Sequence, residues 1–250
     1  MERVKIVMID IDGTVTCPNG KITNIFSALS DYLGFYDKHK KYYEEISERL
    51  KNDPSLDLPK EYLFSNEFFG EKLREYNLTE ELFNKISENV ELRRGLKESY
   101  EYLKKKGYEV FVVSDSIRNY VSKIEEKYGK FYDVAFVRFF FVFDENGNFV
   151  EMKETFGGKP KDRVIEDYLR NHYPNHKYDI YAVHIGDSLI DLRFARYPWI
   201  KKLYLIRDFD FSIPLQHLSK PIEIIVRPKD FREVAYLIPK DEKLLQSIST

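Results

Sequence analysis

The sequence has one cysteine, Cys17, one tryptophan and only two glutamines, Gln216 and Gln246, in 250 residues. A single thiol cannot close an internal disulfide, so the chain is no disulfide scaffold and a reducing compartment is expected. It also lacks an excess of one charge: 40 basic residues stand against 42 acidic ones, a formal net charge of −2. That balance gives no global pull toward nucleic acid or an anionic membrane surface. No apolar run is long enough to span a bilayer, and "MERVKIVMID" lacks the apolar core and small-residue cleavage site of a signal peptide. The expectation is a soluble, cytoplasmic protein with neither nucleic acid nor membrane as partner.

The composition is that of a globular chain. A hydrophobic fraction of 43% supplies a core, and 33% charged residues supply a solvated surface, which excludes general disorder. Apolar runs rich in Val, Ile and Tyr recur: "VKIVMI", "YEVFVV", "IYAVHI", "KLYLI" and "IEIIV". Their near-continuous apolarity suits strands buried on both faces of a parallel sheet. Amphipathic segments separate them, among them "LKESYEYLKKKGY", "IRNYVSKIEEKYG" and "KDRVIEDYLRNHYP". Strands and helices therefore alternate as in a doubly wound α/β fold, where ligands gather at the carboxyl ends of the strands.

Two stretches break the alternation. From Gly20 to about Val90 no convincing strand occurs, but Ile22, Ile25, Phe26, Leu29, Tyr32 and Leu33 follow helical spacing, and Thr79 looks like an N-cap before Glu80 and Glu81. "NDPSLDLPKEY" places a loop in the middle of this helical insertion. In "VRFFFVFDENGNFVEM", two strand-like runs flank a turn rich in Asn and Gly, the pattern of a β-hairpin. The expected domains are an α/β core of residues 1–18 and 92–250 and a helical unit of residues 19–91.

Three strands end in polar residues fit for chemistry: "DIDGT", "SDS" and "GDSLID". A phosphate ester needs a nucleophile, a proton donor for the leaving oxygen and cations for the transition-state charge. Asp10, at a strand end, can attack phosphorus as a carboxylate. Gly13 suggests that the backbone turns just after it, which would carry Asp12 to the leaving-group side and turn the Asp12 carbonyl toward a metal. Asp187 and Asp191, four apart, would share one helix face and suit a hard divalent cation such as magnesium.

The ordered set of "DIDGT", Ser114 after "FVV", a lysine in "GGKPKDRVI" and "GDSLID" resembles the four motifs of the haloacid dehalogenase superfamily, across roughly Met1 to Leu192. The helical insertion resembles that superfamily's cap, and the hairpin and the lead-in to Ser114 resemble its phosphoserine phosphatase branch. The resemblance implies a magnesium-dependent phosphatase acting on a small phosphorylated substrate through an aspartyl-phosphate. Asp10 would be the nucleophile and Asp12 the general acid and then base. Ser114 and a lysine would hold the phosphoryl group, Lys159 being expected and Lys161 the alternative. Asp10, the Asp12 carbonyl and Asp187 would bind magnesium, with Asp191 acting directly or through water. Alternatives are a phosphotransferase or phosphomutase of the same superfamily, and a weakly active binding or regulatory module. Two features depart from the phosphoserine phosphatase branch: Asn19 stands where a substrate-reading glutamate is usual, and Asp115 stands where glycine is common.

Other residues have blander readings. His172 and His176 flank Pro174, which would break any helix aligning them on a metal. His184 lies inside a strand and is expected to be packed or hydrogen-bonded, and Cys17 to be a structural thiol. Arg93 and Arg94, at the end of the insertion, are either a substrate-reaching pair or a solvated one.

Overall fold

The computed structural model describes all residues except 20–21, 53–58, 189, 208–220, 227 and 249–250. The apolar runs form strands β1 (Glu2–Ile9), β2 (Tyr108–Ile117), β5 (Tyr178–Gly186), β6 (Ile200–Arg207) and β7 (Ile222–Val226). The hairpin supplies β3 (Val134–Phe143) and β4 (Phe149–Glu154). The seven strands join in one sheet in the order β4-β3-β2-β1-β5-β6-β7, parallel throughout except for β4, which runs antiparallel to β3. Because side chains alternate across a strand, each central strand feeds two cores. Ile6 and Met8 of β1, Phe111 and Val113 of β2 and Ala182 of β5 enter one; Val7, Ile9, Val110, Val112, Val183 and Ile185 enter the other.

Helix α7 (Lys161–His172) and a 3-10 helix, Asp191–Arg196, cover the first core through Ile165, Leu169 and Phe194. On the second face lie α5 (Leu96–Lys105), α6 (Arg118–Tyr128), α8 (Arg232–Ala235) and α9 (Ile238–Ile248), contributing Leu103, Val121, Val234 and Ile238 among others. The inserted segment adds α1 (Ile25–Tyr32), α2 (Tyr36–Asn52), α3 (Pro59–Glu75) and α4 (Glu80–Glu88). Asn24 caps α1 with a reciprocal capping box to Ser27, and the Thr79 hydroxyl accepts from Leu82 N in α4. Residues 53–58 of the expected inter-helix loop lie outside the described residues. Among the described residues, no helix is long and apolar enough to cross a membrane.

The insertion leaves and rejoins the core at one place. Its two linkers pair antiparallel at Thr16 and Leu92, with Cys17 N donating to Glu91 O (2.7 Å) and Arg93 N to Val15 O (2.9 Å). The turn before α4 is also bonded to the hairpin, through Glu80 N to Gly147 O (2.7 Å) and Phe149 N to Leu78 O (2.8 Å).

Candidate active site

β1 hands its chain to the site by continuing its ladder one residue and then turning. Asp10 N donates to Ile185 O (2.9 Å); beyond it, the N–H groups of Thr14, Val15 and Thr16 all return to Ile11 O. Gly13 makes this loop feasible in two ways. Its φ is +77°, a left-handed conformation that suits glycine, and a Cβ there would overlap the Asp187 carboxylate. The loop leaves Asp10 buried at the strand end and turns Asp12 toward the N-terminus of α1, where its Oδ1 accepts from Ile25 N (3.4 Å).

Ser114 faces Asp10 from the neighbouring strand. Its Oγ accepts from Ile11 N (3.4 Å) and Ser116 N (3.2 Å), and its hydroxyl hydrogen is left to face the Asp10 carboxylate, whose charge it favours. Asp187 follows β5. Together Asp10, Asp12, Ser114, Asp115, Lys161 and Asp187 line a cavity of about 120 Å³, which Asn24 and Phe26 close from the inserted helices.

Of the two candidate lysines, the structure brings Lys161 into this cavity, not the expected Lys159. Lys161 Nζ lies 3.2 Å from Asp10 Oδ2 and 2.7 Å from Asp191 Oδ1, with its side chain 2% exposed. Lys159 is 58% exposed and pairs with Asp167 at 2.7 Å. The reason is helical phase: Lys161, Ile165 and Leu169 lie four apart on the buried face of α7, whereas Lys159 precedes the helix. That signal was present in the sequence.

Asp187 and Asp191 do not share an α-helix as expected, because Asp191 opens the 3-10 helix. Asp191 Oδ1 accepts from Lys161 and from His184 Nε2 (2.8 Å), and Oδ2 accepts from Asp187 N (3.1 Å), Ser188 N (3.0 Å) and Ser188 Oγ (2.7 Å). These contacts engage both of its oxygens, so it fixes Lys161 and the turn carrying Asp187. His184 is accordingly packed and hydrogen-bonded, and its place is in the site's support.

Burial first, with Asp191 adding to it and Lys161 opposing it, pushes Asp10 up to about 7. Burial also pushes Asp12 up to about 6; the Ser116 hydroxyl lies beside it, outside good hydrogen-bond geometry. Asp187 is raised well above the carboxylate range by burial and then by Asp191 and Asp10. Burial acts against the charge of Asp191 too, but Lys161 and His184 hold it far below that range. The site thus has more carboxylate than one lysine neutralises. Oxygens of Asp10, Asp187 and Asp191 lie within 4.8 Å of one another, and the Asp187 carboxylate accepts no hydrogen bond among the described residues. A half-buried carboxylate without a donor, beside two buried ones, fits a hard divalent cation.

Arg93 corrects another expectation. It is buried and does not line the cavity; Nε donates to Thr14 O (2.8 Å), one terminal nitrogen to Gly13 O (3.2 Å) and the other to Pro228 O. It therefore clamps the loop that carries Asp12. Nothing in the local sequence distinguishes it from a solvated arginine, since these three acceptors are backbone carbonyls, all of them far along the chain. His172 stacks on Tyr168 at 3.9 Å on α7, away from the site.

The chain matches the haloacid dehalogenase-like hydrolase family over residues 7–196. No curated protein sequence matches it significantly. Among solved structures, it is similar to a phosphoserine phosphatase captured as a phospho-aspartyl intermediate analogue, with a TM-score of 0.67 at 20% identity over 94% of this chain and 99% of that one. A substrate-bound phosphoserine phosphatase complex gives 0.66 at 20% identity over 95% and 99%. A phosphoserine phosphohydrolase-like protein from Francisella tularensis gives 0.63 at 18% identity over 94% and 100%. At these identities the likeness is one of fold.

Proposed function

The chain belongs to the haloacid dehalogenase-like hydrolase family, and from that premise we propose that it is a magnesium-dependent phosphatase of small phosphomonoesters. The observation that carries the reading is the convergence of Asp10, Asp12, Ser114, Lys161 and Asp187, from four separate segments, on one small cavity. We assign residues 19–91 as the cap over it, a division supported by the pairing of the two linkers at Thr16 and Leu92.

Asp10 attacks phosphorus, forming an aspartyl-phosphate as the bond to the leaving alcohol breaks. Asp12, raised to about 6 and therefore able to hold a proton near neutrality, gives that proton to the departing oxygen. Asp12 then takes a proton from water as the water attacks phosphorus, which releases phosphate and restores the Asp10 carboxylate. Ser114 turns its hydroxyl hydrogen from Asp10 to a phosphoryl oxygen, and Lys161 supplies a fixed positive charge beside Asp10. Asp10, Asp187 and the Asp12 carbonyl would hold magnesium, with Asp191 supporting them. Magnesium would supply positive charge to neutralise the phosphoryl oxygens.

The test is turnover of p-nitrophenyl phosphate. We expect wild-type activity that is lost on chelation and restored by magnesium. Asp10→Asn should fall by about a thousandfold or more; undiminished turnover by that variant would overturn the mechanism.

A further inference from the structure

Ser114 and Asp115 are consecutive in a strand, where side chains should point to opposite faces, yet both line the cavity. The cause is an irregularity between β2 and β3. Ser114 pairs with Val137 but Ile117 with Phe139, so three steps along β2 oppose two along β3. Such a bulge re-aims a side chain, and here it carries Asp115 into the site.

Asp115 is held there rigidly. Its Oδ1 accepts from Arg138 Nε at 2.6 Å, and Arg138, itself buried, also donates to Glu154 Oε1 at 3.0 Å. The guanidinium lies 4.7 Å from the centre of the Phe156 ring. Glu154 in turn accepts from Phe156 N and Gly158 N, both at 3.0 Å. One arginine shared by two carboxylates leaves the triad a net negative charge. The Asp115 oxygen not bonded to Arg138 is where that charge can meet a ligand.

Lys161 is the only basic side chain lining the cavity among the described residues, and Asp10 and Asp191 already engage it. With Lys161 given to the phosphoryl group, no other basic side chain among the described residues lines the cavity for a carboxylate on the leaving alcohol. A positively charged group would find Asp115 pre-positioned. We propose that Asp115, pinned by Arg138 and Glu154, selects phosphomonoesters of short amino alcohols, its free oxygen receiving the substrate's ammonium group. This inference rests on the phosphatase reading above.

Three esters of matched length separate the two ideas: 2-aminoethyl phosphate, 2-hydroxyethyl phosphate and phosphoglycolate, carrying a cation, a neutral hydroxyl and an anion at the same place. With magnesium present, kcat/KM should be highest for the amine and lowest for the carboxylate. Asp115→Asn, which keeps an oxygen for Arg138, should lower the amine-to-hydroxyl ratio by about tenfold, the scale of one charge contact in a partly screened site. Circular dichroism and the melting temperature check that the variant is folded. Equal turnover of the three esters, or a ratio unchanged in Asp115→Asn, overturns the proposal and leaves the phosphatase reading standing. Failure of the wild type to hydrolyse any of these esters or p-nitrophenyl phosphate overturns both.

Discussion

At Gly13 two requirements meet in one atom's absence: a positive φ for the loop and room for the Asp187 carboxylate. Gly13→Ala should lower magnesium-dependent turnover by about a hundredfold or more, and stability by roughly 1–3 kcal/mol. Steady-state kinetics and urea unfolding would measure the two effects. The lysines offer a sharper contrast. Lys161→Ala leaves Asp10 and Asp191 buried without their cation, and removal of one partner from a buried ion pair costs about 3–5 kcal/mol. Lys159→Ala breaks only an exposed pair and should change stability by less than about 1 kcal/mol, with turnover within roughly twofold of wild type. Parallel unfolding and turnover assays of the two variants would test the assignment of Lys161; equal behaviour would count against it.

Among the elements, those with strong periodicity were legible. β1, β2 and β5 read as doubly buried strands because both of their faces are apolar, and Thr79 read as a cap because Glu80, Glu81 and then Leu82 and Phe83 follow it. In the site, Asp10, Asp12, Ser114 and Asp187 were legible because each stands where an apolar run stops. What escaped depended on register and long-range closure. The bulge that swings Asp115 inward leaves no mark on hydrophobic alternation, and the 3-10 geometry at Asp191 is set by its bonds to residues 184, 187 and 188. Arg93 escaped for a similar reason, since its acceptors exist only once the linkers and the segment after β7 have met. Arg93→Met would strip hydrogen bonds from the Gly13, Thr14 and Pro228 carbonyls. It should destabilise the fold by about 2–4 kcal/mol, readable as a lowered denaturation midpoint.

Across the whole molecule, the core on one face of the sheet continues without a break into the inserted helices: Phe26 meets Phe139 of β3 and Phe69 of α3, and Phe83 of α4 meets Phe141. His39 of α2 is buried among these aromatics, beside Phe35 and Phe69, with Nδ1 3.1 Å from Ser30 Oγ. Burial pushes it down from 6.5 to about 4. Between those values the unfolded chain binds a proton that the folded chain refuses. The stabilisation associated with neutral His39 is therefore complete above pH 6.5 and declines as pH falls toward 4, by at most about 3 kcal/mol. The stability of wild type relative to His39→Leu should fall between pH 7 and 4.5 in urea titrations; a difference independent of pH would refute this. The paired linkers at Thr16 and Leu92 also bear on how such a protein can be rebuilt. Since the chain leaves and returns side by side, the segment between these linkers is topologically a detachable cassette, and another could be spliced in without rerouting any strand. The shared aromatic seam sets the condition on such an exchange: a replacement must bring its own apolar underside, or Phe139 and Phe141 are left facing water.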